Sequence, residues 1–252
     1  MGKQVREQSR EMRKGRAAVA AESGRKAGWP LIVGATIILV LLVAITIMIV
    51  KATKTHSVAR PAASGAVVPP QGADGGALVT GQASAPVKLE VYADYMCPYC
   101  GRFERANGAE IARLIGDGTT RQYLHPLNFL DAQSNGTRYS SRAANAAATV
   151  YDKAPDKLLA FNSALFANQP AEGSDGLSDD KIAQLAGQAG VPQPVIDTFT
   201  KGTFEPWVGT WTEAAFAAGL QGTPTVKING QLFQGDLYTA GPLTQAITAA
   251  AK

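Results

Sequence analysis

The chain has 252 residues, 46% of them apolar and 17% charged, which argues against a disordered chain and allows one large domain or two small ones. Its net charge of +4 is unevenly spread. Residues 1–30 hold eight Lys and Arg against three Glu, while residues from Pro61 onward hold thirteen against seventeen Asp and Glu. A basic head on an acidic body argues against a nucleic-acid binder, whose cations would lie on the folded domain, and fits a membrane orientation signal.

Leu31 to Val50, LIVGATIILVLLVAITIMIV, carries no charge, and Thr36 and Thr46 are its only polar side chains. Twenty residues at 1.5 Å each span roughly 30 Å, the thickness of the hydrocarbon core. The preceding basic region is too long, and the apolar run exceeds the core of a typical secretory signal, so an uncleaved anchor is expected. Eight Lys and Arg precede the span, and only Lys51, Lys54 and Arg60 follow it within ten residues. The positive-inside rule then puts residues 1–30 in the cytoplasm and everything after Val50 outside, with Trp29 at the interface. Residues 51–77, rich in Ala, Pro, Gly and Ser, are expected as a flexible tether, and a folded domain is expected over 78–252.

Within that domain VKLEVY, Val87 to Tyr92, alternates and is β-rich, so it is a predicted strand. A helix follows from Cys100 to about Ile115, then a strand from Arg121 to His125 that Pro126 should stop. An Ala-rich helical block occupies about 138–202. Its predicted helices are Ser140–Tyr151, Asp156–Asn168, Ser178–Gly190 with Ser178 as N-cap, and Pro194–Thr200. Glu205 to Ala218 is a further helix, with Trp207 and Trp211 expected in core packing. Thr225–Ile228 and Gln231–Phe233 flank Asn229-Gly230, the strongest short hairpin signal in the chain. Pro242 to Ala250 is the last helix. The order is strand, helix, strand, helical block, hairpin, helix.

Cys97 and Cys100 are the only cysteines, in VYADYMCPYCGRFE. A zinc site would need two more ligands, and the only histidines are His56, in the tether, and His125. A structural disulfide across two residues would restrict the unfolded chain little. A redox dithiol fits the context. Cys97 falls at a helix N-terminus, where free N–H groups and the dipole stabilise a thiolate. Pro98 suits the first helical position, and Cys100 lies one turn on, on the same side as Cys97. Far along the chain, GTPTVKING leads Thr223-Pro224 into a β-rich run. X-Pro bonds are the ones that adopt cis, and such a loop beside the CPYC helix would present the Thr223 backbone to an extended peptide. His125 is expected to be a satisfied core or surface histidine, and Asn135-Gly136-Thr137 fits a glycosylation sequon.

The strand–CPYC–helix opening, the helical insertion and the GTPT–NG segment together resemble the DsbA-like branch of the thioredoxin fold, in particular its membrane-anchored actinobacterial members. The resemblance covers about residues 78–250, and the lead-in APVKLEVYADYMCPYC carries an Asp three residues before the first Cys as family members do. It implies an α/β thioredoxin-like fold with a central mixed sheet and an inserted helical block, preceded by one transmembrane helix. It implies thiol–disulfide exchange on exported proteins, without a cofactor or metal. Cys97 would be the nucleophile, Cys100 the resolving thiol and Pro224 the cis-proline, with Thr223, Pro98 and Tyr99 beside the substrate. Unfolded or reduced exported proteins would be the substrates, and a quinone-linked membrane protein, DsbB-like or VKOR-like, would reoxidise the dithiol. Two departures stand out. The carboxylate that many thioredoxin-fold enzymes carry six residues before the first Cys is replaced by Val91, so Asp94 either accepts the proton of the resolving thiol or caps the CPYC turn. The second disulfide of some relatives cannot form. A dithiol oxidase is the leading expectation. An isomerase or reductase is the alternative enzyme, although the tether leaves no room for a separate dimerisation domain. A membrane-tethered holdase for unfolded chains is the alternative of another class.

Overall fold

A computed structural model describes residues 65–252. The basic head, the apolar span at 31–50 and most of the expected tether lie outside the described residues. Among the described residues no helix is long and apolar enough to cross a membrane.

The centre is a five-stranded mixed sheet of β1 (Leu78–Thr80), β2 (Val87–Asp94), β3 (Thr120–Leu127), β4 (Thr225–Ile228) and β5 (Gln231–Leu232), in the order β1-β3-β2-β4-β5. Strand β2, Val87–Asp94, alternates Val87, Leu89, Val91 and Ala93 on a buried face with Lys88, Glu90 and Tyr92 on a more open one. β3, Thr120–Leu127, runs parallel to it, with Val91 opposite Leu124 and Ala93 opposite Pro126. Parallel strands need a crossover, and helix α1, Pro98–Gly116, supplies it. β1, Leu78–Thr80, pairs antiparallel with residues 122–124 of β3.

β3 does not stop at Pro126. β1 is only three residues long and leaves that side of β3 open beyond Leu124, so the missing proline N–H breaks no ladder bond. β1 itself is unforeseen, since three residues are too few for a periodic signal.

The hairpin forms where predicted, from β4, Thr225–Ile228, and β5, Gln231–Leu232. Asn229 and Gly230 both take positive φ, 50° and 81°, as the tight turn requires. Asn229 also ties the turn to β2: its Oδ1 accepts from the Lys88 N–H at 2.8 Å, and its own N–H donates to the Lys88 carbonyl at 2.8 Å.

The helical block comprises α2, Tyr139–Lys153, α3, Leu158–Ala167, and α4, Asp179–Gln188. Ser178 caps α4, its hydroxyl accepting from the Lys181 N–H at 3.2 Å, with Asp179 and Asp180 in the first turn. The single helix expected over Pro194–Thr200 is two pieces instead: α5, Gln193–Ile196, and a 3-10 turn, Phe199–Lys201, closed by Gly202 at φ 63°. Burial of Ile196 and Phe199 against the block outweighs helix continuity there. α6, Glu205–Ala217, returns the chain to the sheet, and α7, Pro242–Ala250, ends the fold against β2 and α1.

Residues 71–77, expected as the end of the tether, are instead held to α2 and α6. The Gln71 N–H donates to Asp152 at 2.7 Å, the Tyr151 hydroxyl to the Gly72 carbonyl at 2.7 Å, and Trp207 Nε1 to the Gly75 carbonyl at 3.3 Å. Trp207 is fully in the core, but Trp211 is 37% exposed and packs against Gly76, where a Cβ would meet its side chain. That contact requires glycine.

Candidate active site

The site stands at the carboxyl ends of the parallel strands β2 and β3, where α1 begins. The Asp94 carboxylate organises the turn between them. Its Oδ1 accepts from the Met96 N–H at 2.8 Å and from the Ser140 hydroxyl at 2.6 Å, and its Oδ2 accepts from the Leu130 N–H at 2.9 Å. The Asp94 carbonyl takes the Cys97 N–H at 3.1 Å. One buried carboxylate thus joins β2, the loop after β3 and the start of α2. Burial pushes Asp94 up to about 7, against the hydrogen bonds from Ser140, Leu130 and Met96 that pull it down.

Cys97 is the N-cap of α1, with extended backbone, and Pro98 follows at the first helical position. Both cysteines are free thiols. Cys100 is fully buried and Cys97 is 5% exposed, while Pro98 and Tyr99 face solvent. The Cys97 thiol donates to the Thr223 carbonyl at 3.3 Å, and the Thr223–Pro224 bond is cis. The tertiary fold therefore brings Cys97, Cys100, Thr223 and Pro224 together.

The two thiols are electrostatically opposite. Cys97 is lowered to about 6, first by a hydrogen bond from the Cys100 thiol; burial opposes this, and the Thr223 side chain and the backbone N–H groups of Cys100 and Tyr99 add to it. Cys100 is raised well above an ordinary thiol, first by burial and then by the neighbouring Cys97 sulfur. One sulfur is thus poised as a thiolate and the other as a proton-bearing thiol.

Val91 is buried in the position the resemblance would give to a carboxylate, and Glu90 points to the other face, 3.3 Å from Lys88. His125 stacks on Tyr92 on that same face, ring centroids 4.1 Å apart. Burial, then the charges of Lys88 and Lys227, push its imidazole down to about 4. The expected satisfied histidine is only partly that, since its Nε2 is buried without a partner among the described residues. The sequon amide of Asn135 is engaged by the Gly173 carbonyl and Asp175.

Two residues escaped the sequence. Gln169, just beyond α3, donates from Nε2 to the carbonyls of Tyr95 at 3.0 Å and Cys97 at 2.8 Å. It clamps the backbone on both sides of Met96, and its Oε1 packs where a Cβ on Gly101 would stand. Asn107, buried on α1, donates from Nδ2 to the Leu237 carbonyl at 2.8 Å, which tacks the loop before α7 to the CPYC helix. A lone Gln in a loop and a lone Asn in a helix carry no pattern that would have marked them.

Comparison with known proteins identifies the fold. The Thioredoxin family model matches residues 73–247. The serine/threonine-protein kinase PknE of Mycobacterium tuberculosis is 33% identical over 129 residues, half of this chain but 23% of that protein, so the chain spans about a quarter of that relative's length. The reduced DsbA of Mycobacterium tuberculosis superposes with a TM-score of 0.58 and 27% identity, over 71% of this chain and 100% of that one. MdbA of Actinomyces oris, a thiol-disulfide oxidoreductase, gives a TM-score of 0.61 and 29% identity over 74% of this chain and 94% of that one.

Proposed function

The chain belongs to the thioredoxin family, as a DsbA-like thiol–disulfide oxidoreductase, and on that premise we propose that it works as a dithiol oxidase on exported proteins. The observation that carries this reading is the asymmetry of the thiols, Cys97 lowered to about 6 and Cys100 raised. A stabilised Cys97 thiolate favours the reduced protein, which makes the disulfide form a strong electron acceptor.

The exchange runs in two steps. A substrate thiolate attacks Cys97 Sγ of the disulfide form, the Cys97–Cys100 bond breaks, and Cys100 leaves and takes a proton. The second substrate thiolate then attacks the substrate sulfur of the mixed disulfide, and Cys97 leaves as a thiolate. The substrate loses two electrons and two protons in all: the electrons reduce the protein, one proton goes to Cys100 and the other to solvent, and Cys97 is left as the thiolate of the reduced form. Thr223 and Pro224, against Cys97, shape the surface on which the substrate lies, with Pro98 and Tyr99 on its other side. Asp94 acts as the cap of the CPYC turn, since its three hydrogen bonds all serve that turn and its neighbours.

Residues 31–50 anchor the chain with the catalytic domain outside the membrane, and a quinone-linked membrane protein, DsbB-like or VKOR-like, restores the disulfide. The charge asymmetry across the apolar span supports that orientation. Equilibration with a glutathione buffer tests the direction of exchange: the potential should be clearly more oxidising than the roughly −270 mV of thioredoxin. A value near that figure, with the disulfide form more stable to unfolding than the dithiol, would make the protein a reductase. Labelling of Cys97 by a membrane-impermeant thiol reagent on intact reduced cells tests the topology, and labelling only after lysis would reverse it.

A further inference from the structure

Beside the CPYC turn, Arg102, Arg105 and Ala106 of α1 and residues 238–240 of the loop before α7 line an open cleft of about 690 Å³. Its rim is an aromatic–cation cluster. The Arg102 guanidinium lies 4.6 Å from the Tyr238 ring and 5.8 Å from the Tyr99 ring, and the two rings are 5.9 Å apart. Tyr99 is 54% and Tyr238 38% exposed. Stacking occupies the faces of a guanidinium and leaves its in-plane N–H donors free. Among the described residues neither Arg102 nor Arg105 makes an ion pair, whereas Arg113, further along the same helix, pairs with Glu110 and Asp117.

The cluster is held in place. Asn107 ties the loop to α1 through the Leu237 carbonyl, and Asp236 Oδ1 accepts from the Tyr238 N–H at 2.7 Å. Asp236 is the acidic neighbour of Arg102, and its carboxylate is already engaged by that turn and by Thr239. Burial, and after it charge on Cys100 and Cys97, raises the Tyr238 hydroxyl. Two guanidiniums without an ion pair among the described residues therefore line this cleft, on a domain that carries more acidic than basic residues from Pro61 onward.

We propose that this rim selects substrates by charge: the Arg102 and Arg105 guanidiniums take a carboxylate adjacent to the reacting cysteine of an acidic peptide segment, which packs between Tyr99 and Tyr238. The inference rests on the oxidoreductase reading and adds a substrate class to it. A carboxylate meeting the planar guanidinium fork gains charge-assisted hydrogen bonds, and the local positive field raises the encounter rate of acidic chains.

The test uses three dithiol peptides that differ only in Glu, Gln or Lys next to the first cysteine. Each is oxidised by the disulfide form of the protein, and each rate is divided by that of the same peptide with the uncharged bis(2-hydroxyethyl) disulfide, which removes the intrinsic effect on thiol reactivity. The Glu peptide should exceed the Lys peptide about tenfold or more at low salt, and the ratio should shrink as salt rises. In Arg102→Glu and in Arg102→Gln/Arg105→Gln the ratio should fall towards one or invert. Because the ratio is taken within one preparation, it does not depend on the fraction folded. Equal normalised rates in the unaltered protein, or an unchanged ratio in Arg102→Glu, would overturn the proposal while leaving the exchange activity standing. No reaction with any of the three peptides would overturn the oxidase reading itself, and this inference with it.

Discussion

The Cys97 thiol donates to the carbonyl oxygen of Thr223 at 3.3 Å, across 126 residues of chain. This contact joins the two segments that the sequence marks separately, the CPYC turn and the TP loop. Beside that carbonyl Cys97 is only 5% exposed.

Cys97 should titrate at about 6, so its alkylation rate by iodoacetamide should climb through that pH while Cys100 stays inert. The Cys100 thiol is the largest cause of the lowering. Cys100→Ala should therefore raise the Cys97 value by about one unit or more, and Cys100→Ser, which keeps a hydroxyl donor, should raise it less. Equal values in both variants would remove Cys100 from that role.

The same shift makes the dithiol form's stability depend on pH. Cys97 is depressed in the fold relative to its unfolded value of about 8.5, so its contribution is full above that value and is lost as pH falls through about 6. Urea midpoints of the dithiol form should accordingly decline between about pH 8.5 and 6, and Cys97→Ala should flatten that part of the curve. Asp94, raised to about 7, acts in both redox forms, its contribution lost as pH rises through that value. The difference between the dithiol and disulfide forms therefore isolates Cys97.

Asp94→Asn turns one acceptor oxygen into a donor facing an N–H or O–H group. It should cost about 1–3 kcal/mol in urea denaturation, similarly in both redox forms. As a cap, Asp94 should leave the pH profile of the resolving step where it was. A displaced profile at unchanged stability would make it the proton acceptor instead.

Gly101→Ala should destabilise the fold although Ala is the better helix former by about 1 kcal/mol, because the new Cβ collides with Gln169. In a Gln169→Ala background the same change should become neutral or stabilising, and a double-mutant cycle reads that coupling directly. Additive effects would show that Gln169 does not pack on Gly101.

At the hairpin, Asn229 combines positive φ with a side-chain bond to the Lys88 N–H. Asn229→Gly keeps the conformation and loses the bond, whereas Asn229→Ala loses both. Chemical denaturation should place the Ala variant about 1 kcal/mol below the Gly variant. The reverse order would show that conformation is not what selects this residue.

What the sequence determined by itself is local. The alternation of VKLEVY produced β2, Pro98 after Cys97 the start of α1, Ser178 the cap of α4 and Asn229-Gly230 the hairpin, because each signal acts within a few residues on φ, ψ or the nearest hydrogen bonds. The pairing of CPYC with the TP loop was legible only because two marked motifs fitted one resemblance. Tertiary structure alone decided the rest. β1 exists because β3 offered it an edge, and residues 71–77 dock because Tyr151 and Trp207 give their carbonyls donors. Gln169 reaches back 72 residues to the Cys97 carbonyl, and Asn107 reaches forward 130 to the Leu237 carbonyl. Such contacts satisfy buried polar groups through whatever side chain the packing brings near, so no spacing along the chain announces them.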